Sequence, residues 1–298
     1  MNNSILSGMG LYAKSTSESL QHLCKLLDTN KKVYFSRYGD GEIYTMLGKD
    51  CLEHTASSSL SKELRLTFEI DDPLYLRAVG INYPIEKGMI HGLFAPYIDN
   101  FKLEENIKNN FQIPDGTKFE SQILFHYLSI FKPQEMINFL DKFVRNKRKM
   151  FIGSTPKRVA EKLYGTIDIY IPVPSQNAYS LINEWFPEIV KQSVEVEVIL
   201  PSVGVASNII NYRLWKLGIE AHCLDIGSIV DAAEGRESRK WIKLMGHRVN
   251  NILLPRYQNK TLLFKTKYLF KEIWFKLRLW KKGKNYKLPY LSVKENEK

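Results

Sequence analysis

From residue 150 to residue 226 the chain repeats one pattern. A short apolar, β-branched run is followed by a small-residue turn, then by ten or more residues of helical periodicity. The spacing predicts strands at 150–152, 167–173, 194–200 and 220–226, with helices at 155–164, 176–191 and 205–217. Parallel strands cannot be joined by tight hairpins and need long crossovers, so this alternation predicts βαβ units. Runs such as VEVIL (196–200) do not alternate apolar and polar, as expected for strands covered on both faces. The expected class is α/β and Rossmann-like: a mainly parallel sheet flanked by helices.

The first half reads less regularly. Ser15-x-x-Glu18 is a capping-box pattern that opens a helix over 15–29, with Leu20, Leu23, Leu26 and Leu27 on one face. A strand follows at 32–36, a helix over 42–47, a helix over 55–70 and a strand at 74–79. Pro84, Gly88, Pro96, Pro114 and Gly116 break up 82–117. The stretches 118–131 and 133–148 read as helices.

In open parallel sheets, ligands sit beyond the carboxyl ends of the strands. Four such ends carry polar turns. In SRYGDGE (36–42), Gly39 and Gly41 permit a tight turn and Arg37 is a fork of phosphate donors. Asp40 and Glu42 are two hard ligands, enough for a Mg²⁺ or Mn²⁺ that arrives on a diphosphate. The same residues suit an ordinary turn with an acid in the first turn of a helix. FIGSTPKR (151–158) places Gly153 and Ser154 between a strand and a helix, where free N–H groups meet phosphate. LPSVGVAS (200–207) does the same with Ser202 and Gly204, and simple capping explains it equally well. LDIGSIVDAAEGRESR (224–239) mixes Asp225, Ser228 and Asp231 with Arg236 and Arg239. Such a loop can hold a metal diphosphate or take a proton from a hydroxyl, and it can also be a solvated charged loop.

Several chemistries are excluded by what is missing. G-x-G-x-x-G, H-E-x-x-H and the P-loop spacing are absent. His91 and His126 stand alone in the hard-to-read middle of the chain, the second in the helix expected over 118–131, and receive no role. Cys24, Cys51 and Cys223 form no C-x-x-C, which argues against a cysteine zinc site and fits a reducing compartment.

Taken together, the loops resemble the GT-D-type glycosyltransferases. The resemblance rests on SRYGDGE and on the run VEVILPSVGVASNIINYRLWKLGIEAHCLDIGS, and it covers residues 30–245. The second run continues as D-x-G-S-x-x-D followed by G-R-x-S-R, at Asp225, Gly227, Ser228, Asp231, Gly235, Arg236, Ser238 and Arg239. The resemblance implies that Asp40 and Glu42 bind a divalent metal and the nucleotide sugar, a UDP-sugar by first choice. Arg37 or Arg236 would stabilise the leaving diphosphate, and Asp231 would be the base. It implies glycosyl transfer to a glycan or lipid-linked acceptor in surface polysaccharide assembly. A non-catalytic scaffold of the same fold and a nucleotidyltransferase are the alternatives.

The net charge of +11 is concentrated in one place. Between Arg256 and Lys287 there are eleven Lys or Arg and one acid, Glu272, so the rest of the chain is close to neutral. The expected division is a catalytic domain over 1–255 and a basic segment over 256–298. Residues 261–282 (TLLFKTKYLFKEIWFKLRLWKK) predict an amphipathic helix suited to an anionic membrane surface. A helix packed on the domain is the plainer reading, and nucleic acid is not expected because the domain itself is neutral. The opening residues lack an unbroken apolar core, so no signal peptide is expected. The expected location is cytoplasmic, peripheral to the inner face of the membrane.

Overall fold

The computed structural model describes residues 10–30, 32–51, 54–81, 84, 101–114, 116–257, 273 and 277. The amphipathic segment expected over 261–282 lies outside these residues, apart from the exposed Ile273 and Leu277.

Among the described residues, eight parallel strands form one sheet. They are β1 (Tyr12–Ala13), β2 (Tyr34–Tyr38), β3 (Tyr75–Val79), β4 (Lys118–Ser121), β5 (Lys149–Gly153), β6 (Ile169–Pro172), β7 (Val198–Ser202) and β8 (His222–Leu224), in the spatial order β1-β4-β3-β2-β8-β7-β5-β6. The expected parallel α/β architecture is therefore the one observed. The chain runs outward from β2 through β3 to β4, then fills the other side and returns with β8 beside β2. The β2–β8 junction is thus a topological switch point, where crossovers leave on opposite sides and a crevice opens at the carboxyl ends.

Strand periodicity sorts the side chains into two cores. In β2, Tyr34 and Tyr38 join one apolar cluster, whereas Phe35 joins the other. The first cluster packs beneath α2 (Asp40–Met46), α3 (Ser58–Phe68), α4 (Phe101–Asn110), α8 (Ile182–Ser193) and α9 (Ala206–Lys216). The second packs beneath α1 (Thr16–Thr29), α5 (Leu124–Phe131), α6 (Pro133–Leu140), α7 (Lys157–Tyr164), α10 (Ile229–Glu234) and α11 (Lys240–Met245). Arg37 falls on the Phe35 face by the two-residue period, so this cation is directed toward α5 and α10.

The capping box that opens α1 is complete: Ser15 Oγ accepts from Glu18 N–H, and the Glu18 carboxylate accepts from Ser15 N–H. The helix expected over 118–131 is corrected. Residues Lys118–Ser121 are strand β4, and the helix begins only at Leu124. The run KFESQILFHYL is apolar enough for either state, and a four-residue strand is too short to show its period. Pairing with β3, Ala78 to Glu120 and Val79 to Ser121, decides it.

The last continuous described residue is Tyr257, whose ring lies 3.5 Å from the Arg145 guanidinium. Arg145 precedes β5, so Tyr257 lies on the side of the amino ends of the strands. Among the described residues no helix is long and apolar enough to cross a membrane.

Candidate active site

The site grows from the end of β2. Two asparagines of α9, one turn apart, pin this strand. Asn211 Nδ2 donates to Phe35 O (3.1 Å) and Ser36 Oγ (2.9 Å), and Asn208 Nδ2 donates to Arg37 O (2.9 Å). Both asparagines are buried, so the clamp works away from water, where hydrogen bonds between amides count for more.

After Tyr38 the chain turns at Gly39 and enters α2 at once. The expected helix start at Glu42 is therefore two residues late, because Asp40 is already the first helical residue. Glu42 stands at the third position and folds its carboxylate back to accept from Gly39 N–H at 2.8 Å. A Cβ at Gly39 would lie 3.2 Å from Glu42 Oε2 and 3.3 Å from Gln122 Nε2, so glycine is what allows this close return. Asp40 is exposed, and its Oδ1 accepts from Gly41 N–H at 3.0 Å.

Across the crevice, Asp225 follows β8. Its Oδ2 lies 3.4 Å from Arg37 Nε. Burial pushes the Asp225 carboxyl up, opposed by the Arg37 charge and by the Gly227 N–H. Burial also pushes Glu42 up, opposed by the Gly39 N–H and by Arg37, while Asp225 adds to the rise. Burial is the largest cause in both. Beyond it, the two inward carboxyl groups have one guanidinium near them, a formal charge imbalance.

That imbalance is the test of a metal. Among the described residues no group of three His, Cys, Asp or Glu gathers as a ready-made ion site. Asp40 and Glu42 flank a single turn, however, and beneath them Glu42 and Asp225 set two carboxyl groups near one guanidinium. A hard divalent ion that keeps most of its ligands from water and phosphate needs only one or two protein carboxylates, and this donor set fits it.

On the far side of Arg37 stands His126, which received no role from the sequence. Arg37 Nη1 donates to His126 Nε2 at 3.0 Å. The imidazole stacks on Trp241, with ring centroids 4.8 Å apart and planes 25° apart. Trp241 Nε1 donates to Ser228 Oγ at 3.2 Å. Gly227 lies against the guanidinium with φ +76°. A Cβ there would meet Arg37 Nη1, Cζ and Nη2 at 2.4–2.6 Å. His126, Trp241 and Gln122 are the residues that sequence reasoning missed, since no periodicity or spacing marks them. Gly227 was named as a position of the D-x-G-S-x-x-D motif without a role of its own.

Asp231 lies on α10. It accepts from Ser238 Oγ at 2.6 Å, and Arg236 Nη1 stands 3.9 Å from its Oδ1. Burial raises its carboxyl, opposed by Ser238, Arg236 and Arg239. Arg239 also acts on His126, depressing it together with burial and Arg37. The candidates of the 225–239 loop thus surround one region, with Ser228 joined to Arg37 through His126. Gly153 and Ser202 are register partners at the ends of β5 and β7, and Ser154 is half-buried in the turn after β5. Gly204 takes φ +58° and its carbonyl accepts from Ser207 N–H. These four share the carboxyl edge but lie two to three strands from β2.

This arrangement has known counterparts. A family model described as the glycosyltransferase GT-D fold matches residues 35–251. Among solved structures, a glycosyltransferase (DUF1792) from Streptococcus sanguinis is similar with a TM-score of 0.58 at 19% identity, covering 75% of this chain and 83% of that one. A domain of unknown function 1792, described as having a distinct glycosyltransferase fold, is similar with a TM-score of 0.55 at 19% identity, covering 76% and 80%. No curated protein matches the chain. The structural likenesses at this identity speak for the fold, and the family match, which spans β2 through the 225–239 loop, shows that the chain belongs to the glycosyltransferase GT-D fold family.

Proposed function

We propose that this protein is a metal-dependent glycosyltransferase that moves a sugar from a nucleotide-sugar donor, a UDP-sugar by first choice, to a hydroxyl of a glycan or lipid-linked acceptor in surface polysaccharide assembly. The observation that carries the reading is the Arg37–Asp225–Glu42 centre at the β2–β8 junction, beside Asp40, in a chain of this family.

Asp40 and Glu42 would hold a Mn²⁺ or Mg²⁺ ion. A bound ion of this kind supplies positive charge to a departing diphosphate. Arg37 binds the same diphosphate through guanidinium donors, and its side chain is 13% exposed, enough to meet a ligand in the crevice. The turns at Gly153–Ser154 and Ser202–Gly204 offer backbone N–H groups to the rest of the donor. Arg236 and Arg239 add charge stabilisation near the reacting end. In the transfer, the acceptor oxygen forms a bond to the anomeric carbon, and the bond from that carbon to phosphate oxygen breaks. Its electron pair leaves with the diphosphate, and the acceptor proton passes to Asp231. Burial raises Asp231, which brings its proton affinity closer to that of a working base.

A thermal-shift screen of nucleotide sugars with and without manganese tests the reading. Ligand at about a hundred times its Kd stabilises the fold by about 2.7 kcal/mol, a rise of a few degrees in Tm. The expected result is a rise with a UDP-sugar that requires manganese, accompanied by UDP release. Turnover of a nucleoside triphosphate instead would mark a nucleotidyltransferase. Binding without turnover in the presence of acceptor glycans would mark a scaffold.

The basic segment 256–298 supports peripheral attachment to an anionic membrane from a cytoplasmic location, through alternating Lys/Arg and aromatic residues. Flotation with phosphatidylserine vesicles should carry the full chain and leave behind a chain ending at residue 257. Equal recovery of both with the vesicles, or of neither, would remove the membrane from the reading.

A further inference from the structure

Arg37 is a long, flexible side chain that is asked to meet an anion at one place. An arginine gives up about 2 kcal/mol of rotamer freedom when fixed, so something must hold it in advance. Asp225 Oδ2 faces Nε as an ion pair at 3.4 Å without a hydrogen bond to it, and Gly227 lies against the plane. The remaining contact is the one to His126.

His126 is buried, with Nε2 at 3.0 Å from Arg37 Nη1 and 3.5 Å from Ser228 Oγ. A guanidinium stays charged and has only donors to offer. The imidazole must therefore present a bare Nε2 lone pair, which places its proton on Nδ1 and keeps the ring neutral. The groups facing it agree. Arg37 reaches it from β2, Ser228 from the turn after β8, and Arg239 and Trp241 from the last elements of the domain. No anionic partner of the ring is present among the described residues, and both arginines and burial hold it well below the usual histidine range.

A neutral acceptor has a particular use here. A third carboxylate in this position would fix Arg37 equally well, but it would deepen the charge imbalance left by Asp225 and Glu42 and cancel the attraction for an anion. Imidazole fixes direction without using charge. The Trp241 stack fixes the imidazole in turn, and no bond engages Arg37 Nη2 among the described residues.

We propose that His126 is a positioning residue of the donor site: a neutral acceptor, clamped by Trp241, that aims the Arg37 guanidinium at the donor diphosphate. This rests on the reading of Arg37 as the diphosphate-binding group. The probe is UDP with manganese, titrated calorimetrically into the full chain and its variants. His126→Phe keeps the ring and removes the acceptor, and should weaken UDP roughly tenfold. His126→Gln offers an amide oxygen and should stay within about threefold of wild type. In an Arg37→Ala background, His126→Phe should add less than about twofold, because the residue acts through the arginine. Imidazole ¹⁵N spectra should show the Nδ1–H tautomer at neutral pH.

A full effect of His126→Phe in the Arg37→Ala background would overturn the proposal, since a merely structural histidine gives that result. Unchanged UDP affinity in His126→Phe, or an Nε2–H or charged ring at neutral pH, would overturn it as well. If Arg37→Ala binds UDP like wild type, the diphosphate role of Arg37 fails and takes the proposal with it. If Arg37→Ala is weak and His126→Phe is not, only the proposal fails.

Discussion

Replacing Asp40 or Glu42 by alanine should lower sugar transfer by roughly a hundredfold or more, because charge supplied to a leaving diphosphate is worth several kcal/mol and each ~1.4 kcal/mol is tenfold in rate. The two positions should differ in their side effects. Asp40 is exposed and, among the described residues, bonds only its neighbour's N–H, so its alanine variant should melt close to wild type. Glu42 also accepts from Gly39 N–H, and its loss costs the turn a cap worth about 1 kcal/mol. Glu42→Gln separates the two contributions. The amide oxygen can keep the Gly39 bond while the charge is gone, so stability should recover and transfer should not. Steady-state UDP release with varied manganese reads the effect. Full activity in Asp40→Ala and Glu42→Gln together would end the metal reading.

Gly227→Ala should be as damaging as a direct change to the site, although Gly227 supplies no chemistry. Two costs add. A left-handed φ of +76° strains any residue with a Cβ by about 1–2 kcal/mol. The new methyl would also stand within 2.6 Å of the Arg37 guanidinium, inside any real contact distance. Arg37 must then move, and with it the ion pair to Asp225 and the bond to His126. The expected outcome is a Tm lower by several degrees and UDP affinity down by about tenfold or more. Wild-type UDP affinity in a Gly227→Ala protein would show that Arg37 can be displaced without consequence, and hence that it does not bind the donor.

The fold was legible where the chain carries a strong period. Strands β5 to β8 and their helices were expected from alternation alone, with ends shifted by a few residues. Helix α1 was readable because its cap is written locally, within the four residues Ser15–Glu18. Strand β4 was not readable. Its four residues carry no period, and hydrogen bonding to β3 and β1 tells strand from helix there.

The site divides in the same way. Asp40 and Glu42 announced themselves because a turn with two carboxylates one residue apart is a local pattern. Asp225 and Asp231 followed from lying at the end of a strand in a βαβ chain. Their partners could not be inferred that way. Arg37 meets His126 across 89 residues of chain, and His126 sits in a helix whose start was misplaced.

The sequence by itself determined the parallel α/β architecture, the carboxyl-end turns and the identity of the acidic residues in them, because each of these follows from short-range periodicity and turn chemistry. Only the tertiary structure decided that β8 lies beside β2. That adjacency brings the Arg37 guanidinium against Asp225 and Gly227. Charge balance, burial and the shape of the crevice depend on which strands become neighbours, and the order of crossovers in the sheet is set by long-range packing, not by any local run of residues.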